Sequence, residues 1–226
     1  MPQGSQHARA CILRTDAKAF ALNSYEHEGI QRPPNIDRAI PKRQAEFFFG
    51  RWGAGRALAR IGLPTGPIPV GRTREPLWPR NVVGSITHSH GFAAAWVCRA
   101  EYAAGLGIDI ERVPGTAELT ALQNIALRPD EADMIDSLCA DAKMTRPLLL
   151  TLLFSAKESF FKALSPTVKK YFDFQVARLV KIDATDRKLV LELKVELHPK
   201  FPAGYRGNLN YDLIEHDTVL TCLSLC

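Results

Sequence analysis

Three clusters of side chains in this chain of 226 residues could do chemistry. The first lies in GIDIERV, Gly107 to Val113, where Asp109 and Glu111 stand two residues apart in an apolar run. On a strand they share one face, while Ile108 and Ile110 point the other way into a core. Two ionised carboxylates that close repel each other, and a divalent cation relieves the repulsion. Hard oxygen ligands suit Mg²⁺, which takes few protein carboxylates and keeps several waters. The plainer alternative is a solvated strand end whose acids pair with Arg112 or a neighbour.

The second cluster is FSAKESFFKA, Phe154 to Ala163. At helical spacing Leu150, Leu153, Phe154, Phe160, Phe161 and Leu164 form an apolar face beside a polar stripe of Thr151, Ser155, Glu158 and Lys162. Glu158 and Lys162 are i, i+4 neighbours, an arrangement that on its own describes an ordinary surface ion pair. Lys157 falls within the apolar face, so it must snorkel outward or meet an anion, because an unpaired buried ammonium is costly. The third cluster is GSITHSHG, Gly84 to Gly91, a strand end rich in hydroxyls and carrying His88 and His90. It reads equally as a phosphate cradle or as structural caps. A serine nucleophile is disfavoured, because there is no GxSxG elbow. Upstream, Arg43, Arg51 and Arg56 lie on one basic helix, with Arg43 and Arg51 a little over two turns apart. Guanidinium forks match phosphate oxygens, although a solvated basic face is the simpler reading of each one singly.

These residues need elements to hold them. Pro41 to Leu63 reads as a helix opened by its proline, and Pro64 to Pro79, with five prolines, as an extended connector. Val82 to His88, Phe92 to Arg99 and Leu106 to Val113 read as strands, followed by helices over Pro129 to Ala140 and Thr145 to Leu164. Four more strands are expected at Phe174 to Asp183, Lys188 to Leu197, Gly207 to Glu215 and Thr218 to Leu225, and no regular element in the polar residues before Pro41. The order of strands, helices and strands makes an α+β chain in one compact unit.

Composition narrows the partners. The chain is 46% hydrophobic and 23% charged, that of a soluble globular protein. Its longest apolar runs fall well short of the ~20 residues of a membrane span, and Met1 to Ala10 lacks a signal-peptide core, so a cytoplasmic location is expected. Five scattered cysteines with no CxxC suggest neither a disulfide framework nor zinc. A net charge of +5 favours an anionic partner. Nucleic acid is disfavoured, because acids interleave with the basic residues and no stacking motif is present.

GIDIE, FSAKESFFKA and GSITHSHG, with the arginine helix upstream, together resemble the 4′-phosphopantetheinyl transferases, in particular the compact enterobactin-synthesis branch of the surfactin-type class, from about Arg43 to Phe174. The resemblance implies two pseudo-symmetric lobes, approximately 1–105 and 106–226, each an antiparallel sheet packed on a long helix, with coenzyme A in the cleft between them. It implies that Asp109, Glu111 and Glu158 hold Mg²⁺, for which Mn²⁺ can substitute, against the pyrophosphate of coenzyme A, and that Lys162 contacts that pyrophosphate. Thr87 and His88 match the strand-end pair that meets coenzyme A, Arg43 and Arg51 match a clamp on its 3′-phosphate, and Arg56, Arg74 and Lys157 join the cofactor contacts. Which of Arg72, Thr73 and Arg74 covers the nucleotide is open, and Phe154 stands where many members have Trp. The implied reaction moves phosphopantetheine to a serine of an apo acyl, peptidyl or aryl carrier protein. The catalytic residues are then Asp109, Glu158 and Lys162, with Glu158 as base directly or through a water at the metal. The protein would act as a monomer, and Lys169 and Lys170 are candidate contacts for the acidic carrier helix. The competing readings are a non-catalytic coenzyme A or carrier-protein binding module and a metal-dependent phosphodiesterase.

Overall fold

The computed structural model describes residues 7–226, with the side chain of residue 133 left aside. Its strands are β1 (Arg9–Arg14), β2 (Val82–Ser89), β3 (Phe92–Arg99), β4 (Gly105–Arg112), β5 (Ala177–Asp183), β6 (Lys188–Leu193), β7 (Arg206–Glu215) and β8 (Thr218–Leu225). Two one-turn helices, α1 (Ser24–His27) and α2 (Pro34–Asp37), precede α3 (Pro41–Ala59), and α4 (Thr116–Ala126), α5 (Pro129–Ala142) and α6 (Arg146–Val168) lie between the sheets in sequence. A three-stranded antiparallel sheet of order β1-β3-β2 packs on α3, and a five-stranded antiparallel sheet of order β4-β8-β7-β6-β5 packs on α6. The expected architecture of two antiparallel sheets, each with a long helix, is the one observed.

Local chemistry explains the long helices. Pro41 opens α3, where its fixed φ suits the first turn and its missing N–H costs nothing. The Thr145 side chain caps α6 by accepting from Leu148 N at 3.4 Å, and Lys169 closes that helix in the left-handed region at φ 55°. Leu149, Leu150, Leu152, Leu153, Phe160 and Leu164 on α6 bury against the larger sheet, in the main core. A second apolar layer, with Ala94 and Trp96 facing Leu106, Ile108 and Ile110, joins the two sheets.

Four expectations need correction. Residues before Pro41 contain β1, an edge strand pairing Cys11 with Ala95. It escaped notice because one face, with Ala10 and Ile12, stays partly or largely exposed and the run carries no turn signals. The helix Thr116–Ala126 was not anticipated either. Phe174–Val176 is a 3₁₀ turn rather than strand, tied by Asp173 Oδ1 accepting from Gln175 N at 2.7 Å. Finally, β6 stops at Leu193 although the alternation continues to Leu197: Val195 is exposed and Phe201 folds back on His198. The proline-rich segment does form an extended connector, which includes a tight loop closed by a Val70–Pro76 bridge.

Candidate active site

Residues 105, 107, 109 and 111 occupy one face of β4, the face turned to α6. The first two are glycine because there is no room for more. A Cβ at Gly107 would fall 1.8 Å from the Ser159 carbonyl oxygen, and one at Gly105 2.2 Å from that of Ala163. The helix backbone therefore lies directly on the strand. That approach delivers Lys162 to the next position along the face, where its Nζ donates to Asp109 Oδ1 at 2.7 Å and to the Ile108 carbonyl at 3.2 Å. Glu158 lies one turn back, 3.9 Å from the same ammonium, so the i, i+4 pair is looser than the cross-element one.

Among the described residues the other edge of β4 pairs with no strand backbone to backbone, and the neighbouring β2 supplies side-chain hydroxyls instead. Ser85 Oγ accepts from Ile108 N at 3.0 Å, Thr87 Oγ1 accepts from Ile110 N at 3.4 Å and donates to Asp109 Oδ1 at 2.9 Å, and Ser89 Oγ donates to Glu111 Oε2 at 3.1 Å. The alternation S-x-T-x-S was the sequence signal for this seam: three hydroxyls on one face of a strand can satisfy a neighbouring strand's edge. Thr87 is thereby buried in the seam and holds Asp109, while His88, pointing the opposite way, reaches the cleft. Arg112 pairs with Asp217 at 2.7 Å, so it leaves Asp109 and Glu111 alone.

The electrostatics are those of crowded acids. Burial, then the neighbouring Asp109 carboxylate, push Glu111 up to about 7. Burial raises Glu158 as well, against the opposing pull of Lys162. Burial would lower Lys162, but the Asp109 and Glu158 carboxylates outweigh it and hold the ammonium above its ordinary value. One ammonium does not satisfy three acids, and Asp109 Oδ2 is buried with no hydrogen-bond partner. Among the described residues no three such side chains converge as a finished cage. The donor chemistry nevertheless suits a hard dication: the carboxylates of Asp109, Glu111 and Glu158 all act on the one Lys162 ammonium, and one buried carboxylate oxygen has no hydrogen-bond partner.

Beyond His88 the cleft opens to about 410 Å³ between α3, the tight loop and the end of β2, lined by Arg43, Arg51, Arg74 and His88. Arg51 is only 9% exposed, stacks on Phe47 at 4.8 Å and keeps a buried Nε without a partner. Burial and the Arg43 guanidinium lower it to about 10, so it stays charged at neutral pH. Of the three residues in doubt on the loop, only Arg74 lines the cleft, from a left-handed backbone at φ 69°, while Thr73 bonds Glu75 through its N at 2.9 Å and its Oγ1 at 2.7 Å.

Two expected cofactor contacts lie elsewhere. Lys157 is 1% exposed and meets Glu131 Oε2 at 2.8 Å inside the core. Of the two outcomes its position allowed, snorkelling or an anion, it met an anion, and a protein one. Arg56 is exposed on the far side of α3 and stacks on Trp52 at 4.8 Å. Phe154 does serve as an aromatic anchor, edge-on to Phe174 at 5.6 Å.

Two helix-backed antiparallel sheets, with a cationic cleft walled by α3 and β2 and a cluster of acids on β4 and α6, are matched by known proteins in both halves. The 4′-phosphopantetheinyl transferase N-terminal domain matches residues 31–98, and the 4′-phosphopantetheinyl transferase superfamily matches residues 105–208. The chain belongs to the 4′-phosphopantetheinyl transferase superfamily. It is similar to 4′-phosphopantetheinyl transferase Svp of Streptomyces mobaraensis, 45% identical over 64% of this chain and 57% of the relative. Enterobactin synthase component D of Salmonella typhi is 32% identical over 86% of this chain and 76% of the relative. For 4′-phosphopantetheinyl transferase PptT of Mycobacterium tuberculosis the values are 35%, 66% and 63%. The chain thus spans less than two thirds of the length of two of these three relatives.

Proposed function

We propose that the protein transfers 4′-phosphopantetheine from coenzyme A to a serine of an apo acyl, peptidyl or aryl carrier protein, using Mg²⁺ or Mn²⁺ and releasing adenosine 3′,5′-bisphosphate. The observation that carries this reading is the juxtaposition of Lys162 and Glu158 on α6 with Asp109 and Glu111 on β4, in a chain that also carries an arginine-walled cleft. The serine oxygen attacks the β-phosphorus, the bond to the bridging oxygen breaks, and the bisphosphate leaves with that oxygen. Arg43, Arg51 and Arg74 would bind the 3′-phosphate and nucleotide end, with His88 between them and the acids. Lys162 would place its ammonium on the pyrophosphate, where charge builds as the bond breaks.

Asp109, Glu111 and Glu158 would hold the dication, which when bound neutralises the pyrophosphate and orients it for attack. Glu158 would take the serine proton, directly or through a water. In this reading lobes 1–105 and 106–226 form a cytoplasmic monomer with no nucleic-acid partner. The +5 charge would steer an acidic carrier helix, with Lys169 and Lys170 among the contacts. The test is incubation with coenzyme A, Mg²⁺ and a panel of apo carrier proteins, read by intact mass. A gain of one phosphopantetheine on a carrier, abolished by chelator and restored by Mg²⁺ or Mn²⁺, is expected. No gain on any carrier would overturn the proposal.

A further inference from the structure

The tight loop of residues 71–75 forms one wall of the cleft and holds an arginine where glycine is the ordinary choice. Gly71 N donates to the Glu75 carbonyl at 2.8 Å and Arg74 N to the Gly71 carbonyl at 3.1 Å, above the Val70–Pro76 bridge. A loop closed in this way commonly puts its last residue in the left-handed region, which favours a residue without Cβ. Here that residue is Arg74, at φ 69°. Such a conformation persists only when its surroundings hold it, and it decides where the side chain goes. Arg74 lines the cleft with Val70 and Pro76, whereas Arg72 and Thr73 do not.

Glu75 supplies the hold. Its side chain folds back over the turn, where Oε2 accepts from Thr73 N at 2.9 Å and from Thr73 Oγ1 at 2.7 Å. The bond from the Thr73 hydroxyl, above all, keeps this carboxyl below its ordinary value, so it is ionised at neutral pH. Gly71 makes room for it. That glycine is not in the left-handed region, but a Cβ there would run into the carboxyl carbon and both oxygens of Glu75.

We infer that Glu75 is a positioning residue for the nucleotide end of the cleft: bonded twice to Thr73, it locks the 71–75 loop so that Arg74 faces the cleft before a ligand arrives. Prior ordering of the loop removes ordering that binding would otherwise have to impose. Thr73 then acts as the partner of the lock and Arg74 as the contact. The inference rests on the nucleotide reading proposed above for the ligand that Arg74 meets, but not for the order of the loop itself.

The charge of Glu75 and its bonds predict opposite signs. If the carboxylate is merely a negative charge beside Arg74, Glu75→Ala and Glu75→Gln both tighten binding of adenosine 3′,5′-bisphosphate. If it locks the loop, Glu75→Ala weakens that binding about tenfold, the scale of one charge-assisted hydrogen bond. Glu75→Gln then keeps most of the affinity, because both Thr73 bonds converge on one oxygen that an amide oxygen can replace. Gly71→Ala keeps the charge but displaces the carboxyl, so it should behave like Glu75→Ala. In an Arg74→Ala background, Glu75→Ala should add no further loss. Calorimetry of these variants, alongside melting curves, measures all four. Tighter or unaltered binding by Glu75→Ala overturns the inference, as do equal loss in Glu75→Gln, parent-like binding by Gly71→Ala, or full additivity with Arg74→Ala. Amide hydrogen exchange in the ligand-free protein reads the loop directly: Thr73 N–H should exchange about tenfold slower in the parent than in Glu75→Ala, and equal rates overturn the inference. Failure of the parent to bind bisphosphate would instead overturn the nucleotide reading, leaving the exchange result to judge Glu75.

Discussion

Helix α6 carries two ammonium–carboxylate pairs five residues apart, Lys157–Glu131 at 2.8 Å and Lys162–Asp109 at 2.7 Å. Their lengths barely differ; their surroundings do. Glu131 is saturated: besides Lys157 it accepts from Arg128 N at 2.8 Å and Leu179 N at 2.5 Å, so one side chain ties α5, α6 and β5 together. Asp109 has a bare buried oxygen and two further acids close by, and Lys162 keeps a quarter of its side chain in solvent. The contrast appears in proton affinity too. Burial dominates Lys157 and lowers its pKa despite Glu131, whereas the surrounding carboxylates raise that of Lys162. A fully bonded pair serves the fold, and an under-bonded pair at a cleft leaves valence for a ligand.

The sharpest way to break this comparison is to remove each ammonium in turn. Lys157→Ala strands a buried, hydrogen-bonded carboxylate and should destabilise the protein by about 3–5 kcal/mol in urea unfolding. A loss below about 1 kcal/mol would remove its structural role. Lys162→Ala, whose ammonium is partly in solvent, should cost less stability than Lys157→Ala but lower turnover about 100-fold with either coenzyme A or dephospho-coenzyme A, the scale of one lost transition-state donor. Equal stability losses for the two variants would erase the distinction.

The acids sharpen it further. A folded-state carboxyl near 7 against the usual 4.5 means that folded Glu111 holds a proton the unfolded chain has released. Metal-free stability should therefore fall as pH rises between those values and level off above. Glu111→Gln should flatten that slope and gain about 1–2 kcal/mol above pH 7, measured by thermal melts across pH in chelator. A parent-like slope in the variant would place the titration elsewhere. Last and smallest, Arg51→Ala should raise KM for coenzyme A about tenfold while leaving dephospho-coenzyme A nearly unaffected, if the guanidinium holds only the 3′-phosphate. Equal loss with both donors would mean that Arg51 supports α3 instead.

What was legible in the sequence was local. Alternation placed Asp109 and Glu111 on one strand face, and helical spacing put Glu158 and Lys162 on one stripe, because strand and helix periods are fixed by the backbone. The cost of a buried ammonium even narrowed Lys157 to two outcomes, snorkelling to solvent or an anion. Partners across the fold were not legible. Nothing near Lys157 says that its anion is Glu131, 26 residues upstream, or that Thr87 turns inward to Asp109 while His88 turns outward to Arg43. The polar stripe misled in part for the same reason: Thr151 and Ser155 are buried, and Ser155 reaches Thr221 at 2.9 Å on the interior strand β8.

The glycines beneath Ser159 and Ala163 set the mutational tolerance of the candidate site. At Gly66, with open space around its Cα, a methyl group meets nothing; at Gly107 it meets main chain, which cannot rotate away as a side chain can. Any residue there must lift α6 bodily from β4, carrying Lys162 and Glu158 with it, and a displacement near 1 Å can cost about 10²-fold in rate. A substitution library would find both floor positions closed even to alanine, in a screen for activity well before a screen for folding. The catalytic geometry is gauged by two hydrogens, and those positions hold the least chemistry of any in the site.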